Sequence, residues 1–566
     1  MRSFFSLLNR FRRDQRGNIA VIFAIACVPL ISAIGCAIDY SESRRVQAKL
    51  QSAADAAAVA SISQQSKGWL AASTMTSNGE VPVAETDATN IFNGNIINVN
   101  NSLFTLNGSA TKAVVTKTGP NLTATVTFSA NVPVTFMKVV GWSQLTVTGS
   151  SSASASLPLY LDFYVMLDVS GSMGLPSTDA EQSRLALVNP DDFTVYSKGC
   201  TLACHFQSQW SCQDPWQGQQ VNPPGVTSPI NSAYPTNNYC LGYLLTRVSQ
   251  SGYQSLLNSA VTNQSKTNYP MKAGQMLPAA MLPNVTSNVT LGAPNSLLTG
   301  NSQSMTNSLT AVTSCPTAGT DACIQLRADA VGTALNATLA TQGVDGLFAT
   351  ANKAEILSSQ FRIGLYPFIQ NLITYSGLTP TIGPSSAIQT AATNLATLVD
   401  TGNSPNVGLG SGGTHFENAF PQMNAIIPPV GGGAVGDGSS STNTKPFVFL
   451  VTDGAQNFQT CCNFSGSNSA TTIPIGASSY CQPLKNRGIT VAVLYIPYEP
   501  IQNPTTIFNN EDNVANANIN GPPGISASLS ACASPNFFFT ATSTSQIAAA
   551  LAAMFNQALQ TAHITN

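Results

Sequence analysis

The stretch that decides the fold reads FYVMLDVSGSMG and occupies residues 163–174. Its first half is an apolar run of strand-forming residues, which is typical of a parallel strand buried on both faces. The run stops at Asp168, and Ser170 and Ser172 follow at alternate positions. Because open α/β sheets bind ligands at the carboxyl ends of their strands, these three side chains are candidates for one site.

The spacing Asp-x-Ser-x-Ser lets one tight turn direct a carboxylate and two hydroxyls at the same point. Gly171 and Gly174 give the backbone the freedom that such a turn needs. Hard divalent cations such as Mg²⁺ prefer oxygen ligands in octahedral array, and one carboxylate beside neutral hydroxyls leaves the ion electrophilic. The stretch therefore predicts a metal site. The alternative is an aspartate that only terminates the strand.

Two later stretches end in a similar way. Residues 412–414, Gly-Gly-Thr, precede a helix-like run, and residues 446–454 form another apolar strand that ends in Thr-Asp-Gly. Together with the first stretch they resemble the three loops of a von Willebrand factor A (vWA) domain with its metal-ion-dependent adhesion site (MIDAS). The resemblance implies an α/β, Rossmann-like domain. It also implies the metal ligands Asp168, Ser170, Ser172, Thr414 and Asp453.

The resemblance further implies what this site binds. The ion is expected to be Mg²⁺, or else Mn²⁺ or Ca²⁺. In the family the ion bridges to a carboxylate of a partner protein, and the aspartate of the third loop, here Asp453, often acts through water. No catalytic residue is implied.

The remaining apolar runs alternate with helical patterns, as expected of a parallel sheet with helices on both faces. The helix after the first loop is assigned to residues 324–335, far along the chain. That separation implies a large disulfide-rich insertion at about residues 175–321, and a smaller insertion at about 456–487 follows the third loop. The other predicted strands and the closing amphipathic helix are residues 361–368, 488–496, 537–540 and 545–560.

Residues 18–38 form an apolar run without a charged residue. As a helix the run is about 31 Å long, enough to cross the hydrocarbon core of a bilayer. Arginines before it and Asp39 after it orient the N-terminus towards the cytoplasm and the bulk of the chain outwards. The alternatives are a cleaved signal peptide, although no clear Ala-x-Ala exit is present, and a lipoprotein signal ending at Cys36. The arginines are Arg2, Arg10, Arg12, Arg13 and Arg16.

A helical pattern with a face of small residues continues beyond this run. Residues 16–21 (RGNIAV), 37–40 (AIDY) and 50–58 (LQSAADAAA) resemble the N-terminus of TadG-like proteins of bacterial tight-adherence (Flp) pilus assembly systems. The resemblance implies a single-pass protein of the inner membrane whose bulk is periplasmic or extracellular. It also implies pilus assembly components or pilin-like subunits as partners.

Residues 66–156 have a period-two pattern that is typical of strands. Residues 113–117 and 122–128 flank a Thr-Gly-Pro-Asn turn and predict a hairpin, while 132–136 and 145–148 predict further strands. We expect a small sheet lying on the projecting helix. The expected segments are a cytoplasmic basic segment (1–17), a transmembrane helix (18–38), a projecting helix (39–65), a small β-rich pilin-like region (66–156) and the vWA domain (157–566).

The cysteines favour an exported protein. Two of the 12, Cys27 and Cys36, lie in the apolar run, and the other ten follow it. An even number in a translocated region favours disulfides. They cluster between residues 200 and 323 and between 461 and 532, but their pairing cannot be deduced from the sequence.

The stretch Cys200–His205, CTLACH, suggests attachment of haem c, yet it has one residue more than the Cys-x-x-Cys-His pattern. A structural zinc site is another alternative. Disulfides account better for these residues, because four more cysteines lie between residues 206 and 323.

The composition bears on the function. Charged residues make up 8% of the chain and the net charge is −2, which gives no reason to expect nucleic acid as a partner. The sequence contains no Gly-x-Ser-x-Gly elbow, His-Glu-x-x-His pair or phosphate-binding lysine loop, and we predict that the protein is not an enzyme. The leading hypothesis is a membrane-anchored extracytoplasmic protein that acts in Flp pilus assembly or adherence through metal-dependent protein binding. The alternatives are a surface adhesin independent of pilus assembly and a metal-dependent hydrolase.

Overall fold

The computed structural model divides into two units, Met1–Pro158 and Leu159–Asn566. The described residues are 18–96, 103–188, 246–247, 249–251, 312–336, 338–339, 344–400, 408–410, 413–430, 433–458, 471–497 and 524–564. The helices are α1 (Asn18–Ser61), α2 (Lys67–Thr74), α3 (Pro82–Ile96), α4 (Asp179–Val188), α5 (Arg327–Asn336), α6 (Leu347–Ala354), α7 (Ala387–Thr393), α8 (Phe416–Ile426), α9 (Gln482–Asn486), α10 (Ile525–Cys532) and α11 (Thr544–Ile564). The strands are β1 (Gly79–Glu80), β2 (Thr105–Leu106), β3 (Lys112–Thr118), β4 (Asn121–Pro133), β5 (Gln144–Ser156), β6 (Leu161–Asp168), β7 (Thr338–Leu339), β8 (Val344–Asp345), β9 (Phe361–Phe368), β10 (Ser376–Thr379), β11 (Lys445–Thr452), β12 (Thr490–Tyr495) and β13 (Phe538–Thr540).

The first unit is built on α1, one long helix with two different halves. Its apolar N-terminal half is exposed, and the helix is long and apolar enough to cross a membrane, with a mean hydropathy of 2.2 in its most apolar window. These properties fit a single-pass membrane anchor. The C-terminal half presents a small-residue face to a sheet, because alanines let helix and strands approach closely. The buried residues of that face are Val46, Leu50, Ala53, Ala54, Ala57 and Ala58.

The sheet of the first unit is antiparallel, in the order β1-β3-β4-β2, with β5 paired to β4. The predicted hairpin is confirmed, since β3 and β4 pair from Thr118–Asn121 to Lys112–Thr127. A separate strand at 132–136 was a wrong prediction. The alternation of buried residues continues along β4 to Pro133, and the residues Met137–Val140 form a 3₁₀ turn.

The second unit contains a six-stranded sheet in the order β10-β9-β6-β11-β12-β13. The first of these strands in the chain, β6, lies inside the sheet between β9 and β11, and all neighbours are parallel except the edge strand β10. In chain order this is the 3-2-1-4-5-6 arrangement of a doubly wound α/β fold. With its antiparallel third strand, the sheet has the expected vWA topology.

Two apolar layers enclose this sheet, because every residue of β6 is buried. Phe163, Val165 and Leu167 point into one layer with α5, α6, α7 and α11. Tyr164 and Met166 point into the other layer with α8, α9 and α10. A strand covered on both faces reads as a continuous apolar run, which is why the sequence identified it.

Two disulfides are formed among the described cysteines, as predicted. Cys315 pairs with Cys323, and Cys481 pairs with Cys532, which joins α9 to α10. Cys27 and Cys36 are free thiols. The other cysteines, and most of the predicted insertion at 175–321, lie outside the described residues.

The described ends of that insertion are bonded to each other and to the domain. Glu181 accepts hydrogen bonds from the backbone N–H of Gly319 (2.8 Å) and Gln325 (2.7 Å). Further along, the buried guanidinium of Arg247 binds both carboxylate oxygens of Asp329 on α5, at 3.0 and 2.6 Å. The insertion therefore begins and ends beside the first loop.

Candidate metal centre

The predicted first and third loops lie side by side, because β6 and β11 are parallel neighbours with Leu167 opposite Val451. Both strands end at the same edge of the sheet, so Asp168 and Thr452 stand at a common rim. Asp168 is 1% exposed and Asp453, directly after β11, is fully buried. The site is thus formed by strand ends, where parallel sheets place their ligands.

Asp168 is held at both carboxylate oxygens. Oδ1 accepts a hydrogen bond from the backbone N–H of Ser170 at 3.0 Å. Oδ2 accepts one from the hydroxyl of Thr452 at 2.6 Å. The hydroxyl of Thr452 is fixed in turn by the N–H of Gly454 at 2.9 Å. Since the donors come from two loops, they fix the orientation of the carboxylate in the rim.

Gly454 is required at its position for two reasons. Its φ is +86°, in the left-handed region that side chains disfavour. A Cβ there would stand 2.4 Å from Cγ2 of Ile525. The Thr-Asp-Gly sequence of the third loop therefore has a local structural cause in this chain.

Ser170 and Ser172 are both buried, with their Oγ atoms 3.2 Å apart. Gly171–Gly174 form a 3₁₀ turn that directs the two hydroxyls to one side. Adjacent ligands of an octahedral Mg²⁺ are about 3 Å apart, given Mg–O distances of about 2.1 Å. The spacing of the hydroxyls and the all-oxygen donor set therefore fit a hard divalent ion.

The electrostatics of the rim also suit a cation. Burial and the neighbouring carboxylate of Asp453 raise the pKa of Asp168 to about 7, against the lowering effect of its hydrogen bonds. Arg327 donates to Oδ2 of Asp453 at 3.2 Å. Its own backbone N–H binds the carbonyl of Leu175, which brings the start of α5 to the first loop. Two buried carboxylates and one guanidinium thus share the rim.

Thr414 reaches the same rim by its backbone. Its carbonyl accepts from the N–H of Asn457 at 3.2 Å, and the next N–H, that of His415, donates to Ile369 at 3.0 Å, directly after β9. Thr414 is buried between these two segments. Gly412, two residues before it, lies outside the described residues.

His415 is buried and stands at the N-cap position of α8. Its Nδ1 contacts Oε1 of Glu417 at 2.6 Å, and Oε2 of Glu417 accepts from Nε2 of Gln456 at 2.8 Å. This polar chain joins the second loop to the third. It orders the loops on both sides of Thr414.

Sequence reasoning missed two residues of the rim. Thr452 stood in the quoted Thr-Asp-Gly motif, so the signal was present. Arg327 stood in the helix assigned to 324–335, and nothing in its spacing indicated a contact with Asp453. Within the described part of the chain no three His, Cys, Asp or Glu side chains cluster as a metal site, so the candidate centre depends on hydroxyls as well as carboxylates.

Comparisons with known proteins bear on both ends of the chain. Residues 17–64 match the Tad family model, described as Flp pilus-assembly TadE/G-like. A search of curated proteins found no match.

Three solved structures resemble part of the chain, each at a TM-score too low to carry an argument. Proximal thread matrix protein 1 from the mussel byssus, with a zinc-occupied MIDAS motif, is 14% identical over 38% of this chain and 41% of its own, less than half its length, with a TM-score of 0.22. BatB from Bacteroides thetaiotaomicron is 13% identical over 38% of this chain and 85% of its own, with a TM-score of 0.22. The vWF domain of the type V pili tip protein Mfa5 from Porphyromonas gingivalis is 12% identical over 42% of this chain and 89% of its own, with a TM-score of 0.23.

The fold assignment of the second unit rests instead on its strand order. The family match covers the exposed apolar part of α1 and the small-residue face beyond it. Residues 17–64 are therefore similar to the TadE/G-like family of Flp pilus assembly, and the second unit has vWA topology.

Proposed function

We propose that this protein is a membrane-anchored component of Flp pilus assembly or adherence that binds a protein partner through a divalent metal ion. The observation that carries the proposal is the convergence of Asp168, Ser170, Ser172 and Asp453 at one rim of the sheet. The TadE/G-like segment supports the pilus-related role.

Asp168, Ser170, Ser172, Thr414 and Asp453 would hold the ion, with Mg²⁺ expected and Mn²⁺ or Ca²⁺ as alternatives. When bound, the ion would supply an open coordination position for a carboxylate of the partner. The chain's own residues do the rest: Thr452 and Ser170 orient Asp168, and Gly454 keeps the hydroxyl of Thr452 in place. This is a binding role, and no catalytic residue is proposed.

The proposed location is the inner membrane. Residues 18–38 would span it once, with residues 1–17 in the cytoplasm and the vWA domain in the periplasm or outside the cell. The arginines before the span and the disulfides after it support this orientation. The expected partners are pilus assembly components or pilin-like subunits.

The test of function is a strain that carries Ser170→Ala and Ser172→Ala together. Both hydroxyls would be lost from the rim without any change of charge. We expect the strain to lose Flp fibres, counted by electron microscopy, as a deletion strain does. Ser249→Ala with Ser251→Ala is a matched control, because those two hydroxyls are similarly close, at 3.3 Å, but bind the exposed Asp321.

Intact fibres with lost attachment to surfaces would favour the adhesin alternative. Intact fibres with normal attachment would contradict the proposal altogether. Turnover of a substrate that depends on Asp168 would favour the hydrolase.

Arg327 should limit the metal affinity of the site. Its guanidinium occupies Oδ2 of Asp453, so a bound cation meets a like charge at the rim. The repulsion between two like unit charges about 4 Å apart is roughly 1 to 4 kcal/mol. We therefore expect Arg327→Gln to bind Mg²⁺ about tenfold more tightly by isothermal titration calorimetry.

Arg362→Gln is the control for this change. Arg362 also binds an aspartate, Asp162, at 2.7 and 2.6 Å, but near the start of β6. Asp162 lies six positions before Asp168 along the strand, a distance of about 20 Å. The affinity of the Arg362→Gln variant for Mg²⁺ should match that of the unchanged chain. An Arg327→Gln variant with unchanged or weaker affinity would show that the guanidinium does not oppose the ion.

A further inference from the structure

We propose that residues 134–143, the turn between β4 and β5, form a membrane wedge that enters the outer surface of the bilayer beside α1. The proposal uses the anchor assigned to residues 18–38 and adds a lipid contact that is distant from it in sequence. The occupant of this surface is the bilayer itself.

Asp39 fixes the membrane wedge to α1. Its carboxylate accepts hydrogen bonds from the backbone N–H groups of Thr135 (3.1 Å), Phe136 (2.8 Å) and Met137 (2.7 Å). Burial by itself would raise the pKa of Asp39, but these bonds hold the pKa below its usual value. A carboxylate that accepts three N–H groups stays charged and keeps the turn at the end of the apolar run.

The membrane wedge overlaps the apolar run rather than only adjoining it. A Cβ at Gly35 would stand 2.4 Å from Cβ of Phe136, so the ring of Phe136 packs directly on the helix backbone there. Gly35 precedes Asp39 by four residues, which is about 6 Å along the helix. If residues 18–38 are in lipid, Phe136 is at the level of the lipid surface or below it.

The outer side of the membrane wedge is apolar and exposed. Four of its large side chains are accessible: Phe136 (41%), Val139 (74%), Val140 (53%) and Trp142 (57%). Soluble surfaces rarely expose so many large apolar residues within one short turn. Lys138 is its one charged residue, and a lysine and a tryptophan within one short apolar turn are typical of the membrane interface.

The residues of α1 at the same level support a lipid occupant rather than a protein. Ile31, Ile34 and Ile38 are exposed on the apolar run. Directly after it, the phenol oxygen of the exposed Tyr40 accepts from Nε of Arg44 at 2.8 Å. An aromatic ring and a basic group at the end of an apolar helix mark the interface level, and the membrane wedge is held at that level.

The test is fluorescence of the full chain in vesicles of phosphatidylethanolamine and phosphatidylglycerol, three parts to one, with bromines on the acyl chains near the glycerol. Trp142 should be quenched by these lipids, so Trp142→Phe should remove most of the lipid-dependent quenching. Trp69→Phe should not, because Trp69 is 3% exposed and its indole donates to the carbonyl of Ser156. Val139→Asp should weaken the quenching of Trp142, and Val83→Asp, at another exposed valine of the same unit, should leave it unchanged.

Equal quenching in the chain and in Trp142→Phe would overturn the proposal. Quenching that varies with the protein-to-lipid ratio would also overturn it, because the surface would then contact a second copy. Extraction of the chain by alkaline carbonate would refute the anchor and the membrane wedge together. A retained chain with an unquenched Trp142 would refute the membrane wedge alone.

Discussion

Replacing Asp168 with asparagine should abolish Mg²⁺ binding while the domain stays folded. Asp168 is the carboxylate whose two oxygens are oriented by Ser170 and Thr452, and no other residue of the first loop carries a negative charge. Substituting a residue that only supports a metal ligand typically costs 10- to 100-fold in metal affinity, so losing a proposed ligand itself should cost about 100-fold or more. Calorimetric titration with Mg²⁺ measures the loss.

The fold of the Asp168→Asn variant should survive without metal. Asparagine keeps an oxygen for the N–H of Ser170, and it removes one of two neighbouring buried carboxylates. The melting temperature of the metal-free variant should therefore equal or exceed that of the metal-free unchanged chain. Mg²⁺ should raise the melting temperature of the unchanged chain and not that of the variant.

Asp345→Asn is the control, because it removes a carboxylate of the same unit that pairs with the exposed Lys353. Its Mg²⁺ affinity should be unchanged. If the Asp168→Asn variant binds Mg²⁺ as tightly as the unchanged chain, the ligands assigned to this rim are wrong.

Replacing Arg247 with methionine should strongly destabilise the vWA domain. The guanidinium is fully buried and binds both oxygens of Asp329, with a further bond to the carbonyl of Ile324 at 3.2 Å. Its removal would leave Asp329 buried with only the backbone N–H groups of Cys315 and Leu326 among the donors described here. Removing one partner of a buried ion pair destabilises a protein by about 3 to 5 kcal/mol. The loss is measured as a decrease in the free energy of unfolding, from denaturation in guanidinium.

Lys353→Met is the matched control for Arg247→Met. It also breaks a cation–carboxylate pair of the same unit, with an N–O distance of 2.6 Å, but the lysine side chain is 64% exposed. Such a pair contributes about 0 to 1 kcal/mol. Equal losses for the two variants would mean that Arg247 does not hold its segment on α5.

The sequence predicted the strands of the rim well, for a physical reason. β6, β11 and β12 are covered on both faces, so each had to be a continuous apolar run, and an acid or turn residue had to end it. The edge strand β10 was not predicted. It reads Ser-Gly-Leu-Thr, is only partly buried and has no period that separates it from a loop.

Contacts between distant residues could not be predicted from local patterns. The prediction separated residues 122–128 from 132–136, yet pairing with β5 carries β4 through Ser129, Ala130 and Asn131. In the same way, the position of Arg327 at Asp453 depends on α5 starting beside the first loop. Both errors concern partners far away along the chain, which side-chain spacing does not encode.

The bonds of Glu181 have an evolutionary consequence. They connect the beginning of the long insertion to its end, through Gly319 and Gln325. Because the two ends are bonded to each other, the number of residues between them should have little effect on the stability of the sheet. The entropic cost of lengthening a closed loop is small. Related proteins could therefore carry insertions of different length and sequence at this point and still keep the neighbouring strand ends in register.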